Sequence, residues 1–323
     1  MLLLGLQKTT LIDFPGRVAA TVFTGGCNFR CPFCHNPELV LPEAVAAAQP
    51  IQQLEFFRWL AERKKELDGV CVTGGEPTLH AELPDFLRKI RRLGFATKLD
   101  SNGSRPEVLR ALLEEGLLDA VAMDIKNSPA RYAETAGNPP GFSLEKIEES
   151  IALLRGAAEE GKIEVDFRTT IARELHGKKE LEELASWLAN GQLNKEEEEE
   201  KGSKAGIERK NPSPSQGEAR RGSAEDLEAS ADSPPRQEPS PLTQQSAISF
   251  QLSEEGRGSS PVADSNPPNS QFPKPNTQFS LQNFRDSGKL LAPGKKLSSF
   301  SAAELVEFRK LFERKFPRVR VLS

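Results

Sequence analysis

The chain has 323 residues, with 43 Lys and Arg against 47 Asp and Glu, 37% hydrophobic residues and four cysteines. This composition argues against a fibrous, disulfide-stapled or membrane-spanning protein and leaves room for one or two cores. A net charge of −4 gathers no phosphate backbone, so no nucleic-acid partner is expected. The apolar start Met1–Leu6 is interrupted by Gln7 and Lys8 and lacks a basic flank. It predicts neither a signal peptide nor a spanning helix, so a cytoplasmic location without membrane attachment is expected.

In chain order, short β-branched runs alternate with amphipathic stretches. Val18–Thr24 reads as a strand and Gln52–Lys65 as a helix. Gly69–Thr73 is then followed by the helix Ala81–Leu93, Ala96–Asp100 by Pro106–Glu115, and Ala120–Asp124 by Leu144–Glu160. Glu164–Ile171 precedes Lys178–Leu188, Phe279–Phe284 precedes Ala302–Lys315, and Val319–Val321 reads as one more short strand. Pro106 suits a first helical turn, and Gly94 and Gly116 suit helix ends. Strands separated each time by a helix need right-handed crossovers, which predicts an α/β fold with a parallel sheet of six β-then-α units. Periodicity leaves open whether that sheet curls.

After Asn190 the composition changes. From 191 to 277 there is no Trp, Tyr, Cys or Met, and Pro, Ser, Gln, Glu and Gly dominate. This stretch reads as a disordered low-complexity insert between a core of residues 1–190 and a last βα unit of residues 278–323. It joins a helix to the next strand, on the rim opposite the carboxyl ends of the strands where ligands bind in such sheets.

Chemistry concentrates on that ligand rim. Cys27, Cys31 and Cys34 are spaced Cys-x3-Cys-x2-Cys on one loop, preceded by Gly25-Gly26. A structural zinc wants a fourth ligand. His35 adjoins Cys34 and its side chain would diverge, while Cys71 lies between Val70 and Val72 and reads as a small core hydrophobe. Three thiolates with one open metal position, as in an iron-sulfur cubane, describe the loop better. The second strand ends in Gly74-Gly75-Glu76-Pro77, two flexible residues and a carboxylate able to meet an ammonium group. The same residues also suit a plain turn and helix start.

Cys27-x3-Cys31-x2-Cys34 with Phe33 before the last thiol, followed by Gly74-Gly75-Glu76, resembles the radical S-adenosylmethionine superfamily. Further resemblance is to glycyl-radical-enzyme activases, nearest the activator of anaerobic ribonucleoside-triphosphate reductase. It is carried by Phe23–Cys27, Cys34–Pro37, Leu99–Gly103, Met123–Lys126 and the opening Gly5–Gly16. The resemblance implies a partial (βα)6 parallel barrel. It implies a [4Fe-4S] cluster on Cys27, Cys31 and Cys34, with S-adenosylmethionine chelating the fourth iron and being cleaved to methionine and a 5′-deoxyadenosyl radical. Glu76 and the Gly74-Gly75 backbone would receive the amino group, Asp124 ribose hydroxyls and Lys126 the carboxylate. Phe33 would bring its backbone close to adenine, and Arg168 and Asn102 are further candidates.

Other readings accompany these assignments. Asp124 and Lys126 also suit an exposed ion pair, Arg168 a pair with Asp166, and Asn102 a simple Asn-Gly turn. The partners implied are a glycyl radical enzyme and an electron donor such as flavodoxin or ferredoxin. Some related activases carry a histidine after the sixth strand; here Leu281–Arg285 has none, leaving Gln282 or Asn283 as substitutes, and His176 is not required by the family chemistry. Two competing functions are a radical enzyme acting on a small molecule or modified-nucleoside precursor, and a zinc or redox-sensing module using all four cysteines.

Overall fold

The computed structural model describes residues 1–190, 277–285, 290–291, 296–316 and 318–322. Most of the segment read as an insert therefore lies outside the described residues. Among the described residues, eight strands form one sheet whose spatial order follows the chain. They are β1 (Leu3–Thr10), β2 (Ala19–Thr24), β3 (Gly69–Gly74), β4 (Ala96–Ser101), β5 (Ala120–Asp124), β6 (Glu164–Ile171), β7 (Thr277–Asn283) and β8 (Val319–Leu322). All neighbours from β2 to β8 are parallel, and β1 alone runs antiparallel to β2. The six expected strands are β2 to β7, and the short terminal run is β8.

Among the described residues the helices are α1 (Pro37–Val40), α2 (Pro42–Ala47), α3 (Gln53–Ala61), α4 (Leu83–Arg92), α5 (Pro106–Glu114), α6 (Tyr132–Thr135), α7 (Leu144–Glu159), α8 (Lys178–Asn190) and α9 (Ala302–Glu313). The six long ones fall where the apolar period places them. Gly116, at φ +63°, ends α5: its N–H donates to the Leu113 carbonyl at 3.0 Å and that of Leu117 to Leu112 at 2.9 Å. A reciprocal capping box of Ser301 and Glu304 opens α9.

Sequence reading missed β1, α1, α2 and α6. β1 shows no clean alternation of buried and exposed positions, and its pairing with β2 slips in register at Leu3/Gly5 and Gln7/Thr10. Its strand state comes from a tertiary partner rather than from local pattern. The three missed helices have four to six residues, too short to display a 3.6-residue period.

The pleat divides the sheet into two chemistries. One face sends Val70, Val72, Leu99, Val121, Phe167, Phe279 and Leu281 into a continuous core with Phe86 and Ile90 of α4, Ile147 and Leu154 of α7, and Phe312 of α9. Phe279 and Phe312 stack with ring centroids 4.5 Å apart. The other face is polar, and the register lines it up: Cys71 stands beside Lys98, and Asp124 beside Arg168, which stands beside Ser280. Thr73 of β3 and Gln282 of β7 border the same cavity, so the sheet curls and its polar face turns inward. The ladder order runs from β1 to β8 without closing, a partial barrel.

Candidate active site

A cavity of about 260 Å³ opens at the carboxyl ends of the strands. Its lining includes Cys27, Cys31, Cys34, Phe33, Gly74, Gly75, Glu76, Asn102, Asp124 and Lys126. Ten of the residues singled out in the sequence thus meet in one space, although they come from four different loops. Arg168 is the exception and borders a second cavity instead.

The thiols sit on the loop between β2 and α1, and that loop is tied on three sides. Gly26 donates its N–H to the Leu39 carbonyl at 2.7 Å, Arg30 to Ala136 at 2.8 Å, and Glu76 donates to the Gly26 carbonyl at 2.7 Å. The Arg30 guanidinium folds back onto the carbonyls of Cys27 (2.6 Å) and Phe29 (2.8 Å). Cys31 is buried, while Cys27 and Cys34 are half-buried. Burial pushes the Cys27 thiol up to about 12 and the Cys31 thiol up to about 11. Neither is a free thiolate at neutral pH, so the ligating form arises by exchange of protons for metal.

Among the described residues no three Cys, His, Asp or Glu side chains converge on one ion-sized point. A cubane asks for a different arrangement, one thiolate on each of three irons, and three thiols spread over the wall of one cavity meet it. Cys71 does not belong to the set. Its Sγ faces inward from β3, 3.7 Å from both Lys98 Nζ and Asp100 Oδ1, so the four-cysteine zinc reading loses its fourth ligand. Cys71 is also not the plain core hydrophobe expected, because its neighbours are an ion pair.

Gly74 and Gly75 have a structural duty as well. A Cβ on Gly75 would lie 2.0 Å from the Gly26 carbonyl oxygen, so the β3 end closes against the cysteine loop only without a side chain there. Glu76 is 1% exposed. It accepts from the Thr78 N–H (3.1 Å), the Thr78 hydroxyl (2.5 Å), the Ser101 hydroxyl (2.9 Å) and the Asn102 N–H (2.7 Å). Burial nevertheless dominates these four donors and raises its carboxyl above the usual range. The turn and helix-start reading is therefore realised in the same residues that line the cavity.

Asp124 accepts from Lys126 Nζ at 3.2 Å and from Arg168 Nε at 3.1 Å. Arg168 also reaches Asp100 at 3.2 Å, and Lys98 pairs with Asp100. A chain of five alternating charges thus backs the cavity. Burial works against ionisation of Asp124, but Lys126 and Arg168 outweigh it and hold the carboxyl below the usual range. Lys126 Nζ lies 5.9 Å from the centre of the Phe33 ring, which brings the strand end of β5 to the cysteine loop. The ion pair expected as an alternative for Asp124 and Lys126 exists, and it faces the cavity.

The alternative of an Arg168–Asp166 pair is corrected, and the turn reading of Asn102 is realised. Arg168 pairs with Asp100 and Asp124, not with Asp166, whose carboxylate takes the Ser280 hydroxyl at 2.8 Å. With its guanidinium held by two aspartates, Arg168 braces Asp124 from behind rather than facing the cysteines. Asn102 has its amide committed to Asn28 (2.9 Å) and its carbonyl to the Ser104 N–H (2.9 Å), the turn-forming role. Of the two substitutes for the missing histidine, Asn283 is held by both backbone groups of Phe300, each at 2.9 Å, whereas Gln282 lines the cavity. Sequence reading missed Asp100 and Thr170 as cavity residues. The Lys98-x-Asp100 alternation on one strand face was the available signal for the first; nothing local marked Thr170.

Residues 21–167 match the model of the Radical SAM superfamily. The chain is 27% identical over 192 residues to a putative glycyl-radical enzyme activating enzyme of Methanocaldococcus jannaschii, covering 58% of this chain and 76% of that protein. It is 31% identical over 127 residues to the pyruvate formate-lyase-activating enzyme of Clostridium pasteurianum, covering 38% of this chain and 51% of that one, so it spans about half of that relative. The structure of Streptococcus suis SuiB bound to precursor peptide SuiA superposes with a TM-score of 0.51 at 11% identity, over 94% of this chain and 48% of that one, a likeness of fold. Residues 21–167 thus form a Radical SAM domain, the domain of a family of radical redox enzymes that use a [4Fe-4S] cluster and S-adenosylmethionine.

Proposed function

We propose that the protein is a cytoplasmic glycyl-radical activase whose partner is anaerobic ribonucleoside-triphosphate reductase. The observation that carries this reading is one cavity in which three thiols face an acid and an amine from the end of β5, in a chain similar to proteins named as activating enzymes. Cys27, Cys31 and Cys34 hold the cluster. When bound, the cluster and the sulfonium would supply the one-electron chemistry needed to remove a hydrogen from a glycine of the partner.

The chain's own residues position the reactants and keep water out. Lys126 meets the methionyl carboxylate and Asp124 the ribose hydroxyls. Glu76 and the Gly74-Gly75 backbone meet the amino group, and the Phe33 backbone lies close to adenine. Arg168 acts one step back by orienting Asp124, and Asn102 by holding the cysteine loop through Asn28. Flavodoxin or ferredoxin delivers the electron. Residues 1–190 and 277–323 form the catalytic core around an insert at 191–276. No helix among the described residues is long and apolar enough to cross a membrane.

The test is anaerobic incubation of the cluster-loaded protein with S-adenosylmethionine, a reductant and the candidate reductase, read by electron paramagnetic resonance. A glycyl doublet on the reductase is expected. Turnover of a small metabolite with no partner protein, and no glycyl signal on the reductase, would replace this reading with that of a small-molecule radical enzyme.

A further inference from the structure

Lys126 lies two residues past the end of β5, and a long amine on a loose loop would not keep its Nζ aimed into a cavity. Buried polar side chains fix that stretch instead. Tyr132 donates its hydroxyl to the Asp124 carbonyl at 3.3 Å. Asn127 donates to the Leu175 carbonyl and to the Thr135 hydroxyl, both at 2.9 Å. His176, fully buried between β6 and α8, brings Nε2 to 2.8 Å from the carbonyl of Lys126 itself.

The tautomer of that histidine follows from Nε2 itself: the Lys126 carbonyl can only accept, so the ring proton belongs on Nε2 and is donated to it. Nδ1 then accepts the Ala172 N–H at 3.2 Å and lies 3.3 Å from the Ala172 carbonyl. Burial lowers the pKa of His176, in keeping with a neutral ring that serves as one donor and one acceptor. The ring does not border the cavity, so it touches nothing that binds there.

We propose that His176 is a positioning residue of the cofactor site: by fixing the Lys126 carbonyl it sets the direction from which the Lys126 amine meets the carboxylate of S-adenosylmethionine. The inference rests on the carboxylate-binding role proposed for Lys126. It predicts a coupling between the two residues that a purely structural histidine would lack, because a histidine acting only on stability has no reason to depend on the amine.

The experiment is a double-mutant cycle in the cluster-loaded, full-length protein, reading equilibrium binding of S-adenosylmethionine alongside thermal unfolding. K126M is expected to weaken binding about tenfold or more and H176L about tenfold. H176Q, which keeps an amide donor, is expected to recover part of the loss. The double variant H176L/K126M is expected to bind no more weakly than K126M alone, since His176 acts through the amine. Normal binding by H176L while K126M is weakened, or losses that multiply in the double variant, would overturn the role of His176 and leave Lys126 standing. Unaltered binding by K126M would overturn the Lys126 assignment and the inference with it. If H176L does not fold, H176N takes its place, its amide being too short to reach the same carbonyl.

Discussion

Cys27, Cys31 and Cys34 differ from Cys71 in what surrounds them, and variants should separate them. Cys27→Ala, Cys31→Ala or Cys34→Ala is expected to abolish cluster loading and reductive cleavage of S-adenosylmethionine. Cys71→Ala is expected to retain both at a stability cost on the order of 1 kcal/mol, for one buried atom lost. Iron and sulfide analysis with product chromatography checks this, and equal loss in all four variants would contradict it. Glu76→Gln tests a different quantity. Its carboxylate takes four protein donors, and an amide would turn a donor toward one of them, costing on the order of 1 to 3 kcal/mol in urea unfolding. At this scale the sequence was most legible where chemistry is local. The three thiols lie within eight residues on one loop, so spacing alone groups them. Glu76 was readable as a carboxylate near the site, but its donors Ser101 and Asn102 arrive from another strand end. No pattern around Cys71 announced that Lys98 and Asp100 would stand beside it.

Strand ends carry the site, and two predictions belong to them. Gly75→Ala places a methyl group against the Gly26 carbonyl, so the β3 end and the cysteine loop must separate. The expected result is loss of cluster iron with the sheet intact by circular dichroism, and normal iron content would contradict it. The charge chain behind the cavity gives a pH dependence. Burial opposes the charges of Asp100 and Asp124, but Arg168 with Lys98 at the first, and Lys126 with Arg168 at the second, hold both below their ordinary value of 3.8. The unfolded chain therefore binds more protons than the fold as pH falls past that value. The contribution is complete above it and is lost as pH drops through the lower folded values. Asp100→Asn is expected to make urea stability fall less steeply between pH about 5 and pH about 3; an unchanged slope would contradict the network. The alternation of β-branched runs with helical faces made β2 to β7 readable almost to the residue, and β8 with them. β1 escaped because an edge strand held by one antiparallel neighbour needs no alternation of its own.

Across the whole molecule, a parallel ladder with a polar inner face gathers four loops into one cavity, and this is why residues distant in sequence were correctly grouped by strand-end position alone. The inward curl itself was not readable from periodicity, since pleat and crossover rules are satisfied by flat and curved sheets alike. Resemblance to a known family supplied the partial barrel, and the shared cavity of β3 and β7 agrees with it. Asn190 ends α8 and Thr277 begins β7, so the intervening segment attaches at the rim opposite the cysteines. Replacing 191–276 with a short flexible linker is expected to leave cleavage of S-adenosylmethionine largely unchanged. An inactive, aggregated product would show that the segment is needed for folding. The account depends most on a cluster that keeps one iron free for the sulfonium cofactor. Electron paramagnetic resonance of the reduced, oxygen-protected protein addresses that directly: a [4Fe-4S] signal whose g-values move on addition of S-adenosylmethionine is predicted, and a signal indifferent to the addition, or a metal centre without sulfide, would contradict it.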